Sequence, residues 1–154
     1  MTKRYFEDFA AGQVFELGSL TLEKDDIVAF AREWDPQSFH LDEDAAAASI
    51  YGGLIASGWH TACAFMQLLA TNLLCDAASM GSSGIDELRW IVPVRPGDRL
   101  SATLAVDKTR ASDSRPDRGK VYWRAEVTNQ DDTVVMTIDA SFMIGRRAAD
   151  TSSS

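Results

Sequence analysis

The run Ser57-Gly58-Trp59-His60-Thr61-Ala62-Cys63-Ala64-Phe65-Met66-Gln67-Leu68-Leu69-Ala70-Thr71-Asn72-Leu73-Leu74-Cys75 decides the fold. Ser57 is a natural N-cap, and Gly58 and Trp59 open a long helix. That helix is apolar on most of its circumference, through Ala62, Cys63, Phe65, Met66, Leu68, Leu69, Leu73 and Leu74. A helix of this kind needs cover on most sides. It contains His60, Gln67 and Asn72 and is too short for a membrane span, so it reads as a buried helix. Asp76 and Gly81-Ser82-Ser83-Gly84 end it.

The cover comes from the residues after Gly84. Ile85 to Val92 reads as a strand, and Pro93-Val94-Arg95-Pro96-Gly97-Asp98 as a turn. Leu100, Ala102, Leu104 and Val106 then alternate with polar residues, as do Val121, Trp123, Ala125 and Val127. Val134, Met136, Ile138, Ala140, Phe142 and Ile144 give a further alternating strand. Such alternation buries one face of an antiparallel sheet. The expected fold is α+β, an antiparallel sheet wrapped around a long central helix.

Upstream, Val14 to Leu17 is strand-like, and a helix begins at Thr21 or Leu22 with Glu23, Asp25 and Asp26 in its first turn. Ile27, Phe30, Ala31 and Trp34 share one face. Pro36 stops this helix near Trp34, because proline disfavours helical geometry in the residue before it. Asp35 therefore sits at a helix C-terminus, where the dipole disfavours negative charge. Read alone it is a solvated Asp-Pro turn or a carboxylate with a raised pKa, usable as a base. His40 follows after a turn of loop. Asp42 caps a short helix through Asp44 to Ala48, and Gly52-Gly53 ends it.

At 154 residues the chain suits one domain, expected over 1–146 with a disordered tail over 147–154. A net charge of -8 argues against nucleic acid as the main partner. No signal-peptide core opens the chain. Cys63 and Cys75, if on one helix, stand roughly 18 Å apart at about 1.5 Å per residue and cannot pair. That fits a cytoplasmic setting with no membrane partner. No metal-ligand spacing or nucleotide loop is present, so neither a metal nor a redox cofactor is expected.

These motifs, in this order, resemble the MaoC-like dehydratases and (R)-specific enoyl-CoA hydratases of the hotdog fold. The likeness covers about residues 5–146. The family motif is Asp-x-Asn-Pro-x-His, and here the stretch is Asp35-Pro36-Gln37-Ser38-Phe39-His40. The spacing matches, but the internal Asn-Pro pair is absent and Gln37 stands where the family has Asn. Ser57-Gly58 matches the family's helix entry, and Pro93-Val94-Arg95-Pro96-Gly97-Asp98 matches its later signature. A serine in the central helix of some hydratases corresponds to about Met66.

The resemblance implies an acyl-CoA thioester substrate, with water added across, or removed to form, an α,β double bond. Asp35 and His40 then form the proton-transfer pair, and the Gly58 N–H at the helix N-terminus meets the thioester oxyanion. Ser57, Trp59 and His60 border the substrate, although His60 reads more readily as a first-turn helix residue near the pocket mouth or interface. Arg110, Arg115 and Arg118, with Lys120, are candidates for the CoA phosphates, or a solvated hairpin. Arg89 and Arg95 are weaker ones. The resemblance also implies an active site at a homodimer interface, and one sheet around one helix leaves edges to pair. Two alternatives share the fold. An acyl-CoA thioesterase would usually carry a carboxylate on or beside the central helix, and Gly58 to Cys75 has none. A non-catalytic acyl-CoA-binding subunit would use the same residues structurally.

Overall fold

A computed structural model describes residues 2–148. Five strands, β1 (Val14–Thr21), β2 (Ile85–Trp90), β3 (Arg99–Ala111), β4 (Arg118–Thr128) and β5 (Val134–Gly145), form one antiparallel sheet in the order β1-β3-β4-β5-β2. Four helices lie between β1 and β2: α1 (Lys24–Trp34), α2 (Ser38–Leu41), α3 (Glu43–Ala47) and α4 (Gly58–Asn72). One face of the sheet packs on α4, as the alternating strands require.

The core lies between α4 and the inner sheet face. Phe65, Leu68 and Leu69 of α4 are buried with Leu100, Leu104, Val121 and Val127 of the sheet. Trp123 bridges the two layers, its ring 5.8 Å from both Phe65 and Phe142. Each such side chain contributes about 1.5–3 kcal/mol when fully buried. The far end of α4 is tied to the sheet edge by Asn72, whose amide donates to the Leu17 carbonyl at 2.5 Å. Gly18 makes room there, at φ +87° in the irregularity between Glu16 and Ser19.

Several expectations need correction. β1 runs on to Thr21 and α1 starts only at Lys24, because Leu22 bonds across to Gly97 and Asp98 and holds the chain extended. His40 is not on a loop but on α2, a single turn between Ser38 and Leu41. The central helix stops at Asn72, and Cys75 sits on a separate 3-10 turn. Both cysteines are free and exposed rather than packed. Helix α4 is covered on one side only: Thr61, Ala64, Phe65, Leu68 and Leu69 are buried, whereas Trp59, Cys63 and Met66 are exposed. Of the tail, Arg147 bonds to Glu7 and Asp8; residues 149–154 lie outside the described residues. Among the described residues no helix is long and apolar enough to cross a membrane.

Candidate active site

Three segments distant in sequence meet beside the start of α4. Helix α1 ends where Pro36 dictates, with the Asp35 N–H still bonded to the Ala31 carbonyl at 2.8 Å. One turn later, α2 carries the buried His40. The extended piece Leu54–Ala56 is clamped on both sides. The Ile55 N–H donates to the Phe39 carbonyl at 3.2 Å, and the Ala56 N–H to the Val94 carbonyl at 2.8 Å. Thus the turn from Pro93 to Asp98 helps fix the approach to α4. Its conformation is held by Asp98, whose carboxylate accepts from the Arg95 N–H at 2.8 Å and from Gln130 at 2.9 Å. Arg95 in turn donates to the Tyr51 carbonyl at 2.6 Å, anchoring the glycine-rich loop.

Both oxygens of the Asp35 carboxylate have partners. Oδ1 accepts from the Gln37 amide at 2.7 Å. Oδ2 accepts from the Ser57 hydroxyl at 2.7 Å and faces His40 Nε2 at 3.2 Å. The other imidazole nitrogen, Nδ1, lies 2.8 Å from the Ile55 carbonyl oxygen. A carbonyl only accepts, so Nδ1 carries hydrogen and Nε2 is the atom that exchanges a proton. A proton between Nε2 and Oδ2 turns the contact into a hydrogen bond; without it, two acceptors face each other.

Of the two readings open for Asp35, the carboxylate with a raised pKa is not found. Burial does push it upward, but hydrogen bonds from Gln37 and Ser57, together with the charge and hydrogen bond of His40, outweigh that push. The carboxyl is held below its ordinary value. Ser57, expected as the helix cap and beside the substrate, is fully buried and not among the residues lining the cleft described below; its bond to Asp35 is the link that sequence reading missed. Its side chain also caps α4, accepting from the Trp59 N–H at 3.3 Å. Gln37, the residue that departs from the family motif, is the other missed partner.

At the start of α4 the Gly58 N–H has no acceptor among the described residues, so it is free to donate to a negative oxygen. Glycine is required here by a neighbouring side chain. A Cβ on Gly58 would lie 2.6 Å from Nε1 of Trp90, inside the indole. That indole N–H donates to the Gly58 carbonyl at 2.8 Å. Trp59 packs edge-on against Trp90, with ring centroids 5.1 Å apart.

Asp35, His40, Gly58, Trp59 and Trp90 line one cleft of about 520 Å³, whose far wall includes Val94 and Val135. His60 is not on that wall. It stacks on Phe30 of α1, rings 4.6 Å apart and 5° from parallel. Burial lowers its pKa, with Asp26 pulling the other way.

The basic cluster is not brought to the cleft. Val135 lines the cleft, while Arg118 pairs with Gly145 at the other end of β5. At about 3.4 Å per residue, that places Arg110, Arg118 and Lys120 roughly 30 Å away within one chain. Arg110 is paired with Asp113 at 3.0 Å and Arg118 with Asp117 at 2.9 Å, and Arg115 lies on the exposed loop between β3 and β4. The direction of the strands, which a local reading of charge does not supply, decides this. Among the described residues, no cluster of His, Cys, Asp or Glu is arranged to hold a metal.

The chain is similar to known proteins across most of its length. A MaoC-like dehydratase from Rhodospirillum rubrum, solved as a crystal structure, is 42% identical and superposes with a TM-score of 0.84, covering 94% of this chain and 98% of that one. The (R)-specific enoyl-CoA hydratase of the same species is 33% identical over 103 residues, 66% of this chain and 69% of that protein. The uncharacterized protein YdeM of Bacillus subtilis is 38% identical over 101 residues, 65% of this chain and 71% of that protein. The fold is the hotdog fold. The model of the MaoC like domain matches residues 8–129, which include Asp35, His40, Gly58 and the turn from Pro93 to Asp98. The chain belongs to the MaoC-like domain family.

Proposed function

We propose that the chain is a hydro-lyase that adds water to an α,β-unsaturated acyl-CoA thioester, or removes it from the 3-hydroxyacyl form. The observation that carries this reading is the placement of the Asp35–His40 pair and the free Gly58 N–H on one cleft.

In hydration, a water in the cleft meets Asp35 and His40 Nε2. Its oxygen bonds to C3 while the pair, acting as one unit, takes a proton. The electrons of the double bond move towards the thioester carbonyl, whose oxygen becomes negative beside the Gly58 N–H. The pair then returns a proton to C2, so the net change is one water added. Dehydration runs the same steps backwards. The low pKa of Asp35 keeps it ionised, and Nδ1–H on the Ile55 carbonyl fixes the imidazole with Nε2 towards the reacting atoms. One oxyanion donor is worth about 3 kcal/mol of barrier. The chemistry calls for no metal or redox cofactor.

A second copy of the chain is part of this proposal. β2 is an edge strand, and Ile85, Trp90 and Ile91 are about half exposed, next to Trp59 and Met66. Pairing β2 with its counterpart would cover that edge and roof the cleft. Two free cysteines support a reducing, cytoplasmic setting.

The test is the fate of crotonyl-CoA. Loss of the enoyl-thioester absorbance with no free thiol is expected. Thiol release would make the chain a thioesterase, and an unchanged substrate across a panel of enoyl-CoAs would favour a binding subunit.

A further inference from the structure

Thr61 lines the cleft with Asp35, His40 and Gly58, one turn into α4. It is 2% exposed, its hydroxyl makes no hydrogen bond among the described residues, and it heads the buried stripe that continues through Ala64, Phe65 and Leu68. Among the described residues, the sealed side-chain atoms without a partner are His60 Nδ1 and Trp123 Nε1. The Thr61 hydroxyl is not one of them, so its oxygen stays open, and the cleft is what it opens on. A buried hydroxyl with no partner costs stability that valine, of the same shape, does not. Threonine at the head of an apolar stripe therefore points to a ligand that hydrogen-bonds.

The reacting groups are near. The Thr61 N–H donates to the Ser57 carbonyl at 3.2 Å, and the Ser57 hydroxyl donates to Oδ2 of Asp35 at 2.7 Å. Oδ2 in turn faces His40 Nε2 at 3.2 Å. One residue thus separates Thr61 from the Asp35–His40 pair. Helical side chains lean towards the N-terminus, which brings the Thr61 hydroxyl back towards the Gly58 end. The Gln37 amide, also on the cleft, is already committed to Oδ1 of Asp35.

We infer that the Thr61 hydroxyl is a third group that holds the reacting water: it accepts the O–H that stays with the substrate, while the Asp35–His40 pair takes the proton that leaves. The inference rests on the hydro-lyase reading above and adds a residue to its site. In hydration one O–H bond of water breaks, its proton goes to the pair, and the oxygen bonds to C3. The second O–H survives as the 3-hydroxyl, still donating to Oγ1 of Thr61. In dehydration the C3–O bond breaks, the pair returns a proton to that oxygen, and water leaves with the same bond to Thr61. Thr61 itself neither gains nor loses a proton. Holding the retained O–H turns a lone pair of the water towards C3.

The test uses crotonyl-CoA and the full chain. Thr61→Val keeps the shape and removes the hydroxyl, so kcat should fall at least about tenfold with KM within about threefold of wild type. Thr61→Ser keeps the hydroxyl and removes the methyl group, so kcat should stay within about threefold of wild type. A packing role gives the opposite order, with the valine variant spared and the serine variant impaired. That order, or a folded Thr61→Val as fast as wild type, overturns the inference. Calorimetry needs no turnover and separates this claim from the hydro-lyase reading. Its probes are butanoyl-CoA and 3-hydroxybutanoyl-CoA analogues in which an amide replaces the thioester, too weakly acidic at C2 to eliminate water. The wild type should bind one enantiomer of the hydroxy analogue at least about tenfold tighter than the butanoyl analogue, and Thr61→Val should lose that preference. The preference and its loss, in a chain that hydrates no enoyl-CoA, would sink the hydro-lyase reading and keep Thr61 as the partner of the hydroxyl. Hydration by the wild type, with the binding preference unchanged in Thr61→Val, would do the reverse.

Discussion

The hydroxyl of Ser57 donates to Oδ2 of Asp35 over 2.7 Å, across 22 residues of sequence. The same hydroxyl oxygen caps α4 by accepting from the Trp59 N–H. One small, fully buried side chain thus fixes the carboxylate to the helix end that supplies the oxyanion donor.

Ser57→Ala removes both bonds. The loss of a hydrogen bond to a charged group and of an N-cap is expected to cost about 2 kcal/mol of stability in urea unfolding. Without the hydroxyl, the ionised carboxylate loses a donor and its pKa rises. The acid limb of kcat/KM controlled by Asp35 should therefore move to higher pH. A Ser57→Ala profile that overlies the wild type would show that the bond does not tune the carboxylate.

Gly58→Ala drives a methyl group into the Trp90 indole. Overpacking of this kind typically costs about 1–3 kcal/mol, and the displaced Trp90 also leaves the Gly58 carbonyl. The cost should shrink in a Trp90→Ala background, where the space is free. A double-mutant cycle measures this; equal costs in both backgrounds would mean that the close approach does not explain the glycine.

His60 stacks on Phe30 with a buried Nδ1 that has no partner among the described residues. His60→Phe keeps the ring and removes the unpartnered nitrogen, so stability at pH 8 should change by less than about 1 kcal/mol. Acid should separate the two proteins. The folded pKa of His60 lies below its unfolded value, so the unfolded chain binds more protons there. The wild type holds this contribution fully above about pH 6.5 and loses it as pH falls through the folded pKa. His60→Phe lacks that slope. Parallel stability curves for the two proteins between pH 8 and pH 5 would contradict this.

Local chemistry made much of this molecule legible. Pro36 marks the end of α1, Ser57 the start of α4, and residue alternation from Leu100 to Ile144 the long strands and their buried face. What stayed hidden depends on distance or direction. Four residues, Ser38 to Leu41, are too few to show a helical period. The pKa of Asp35 goes down because Gln37 and Ser57 bond to it, and Ser57 arrives only through tertiary folding. Arg110, Arg115 and Arg118 stand out as a basic cluster in sequence, yet β4 and β5 carry that end of the sheet away from the cleft. The partial exposure of α4 was also hidden, since an apolar helix surface does not say which part its own sheet covers.

The central claim is that Asp35 and His40 move the proton. The most direct measurement is the rate of loss of the enoyl-thioester absorbance with wild type, Asp35→Asn and His40→Ala. Circular dichroism and oligomeric state are recorded on the same samples. The account predicts hydration by the wild type and a fall of at least about a hundredfold in each variant, with fold and assembly intact. Wild-type rates in both folded variants would contradict it.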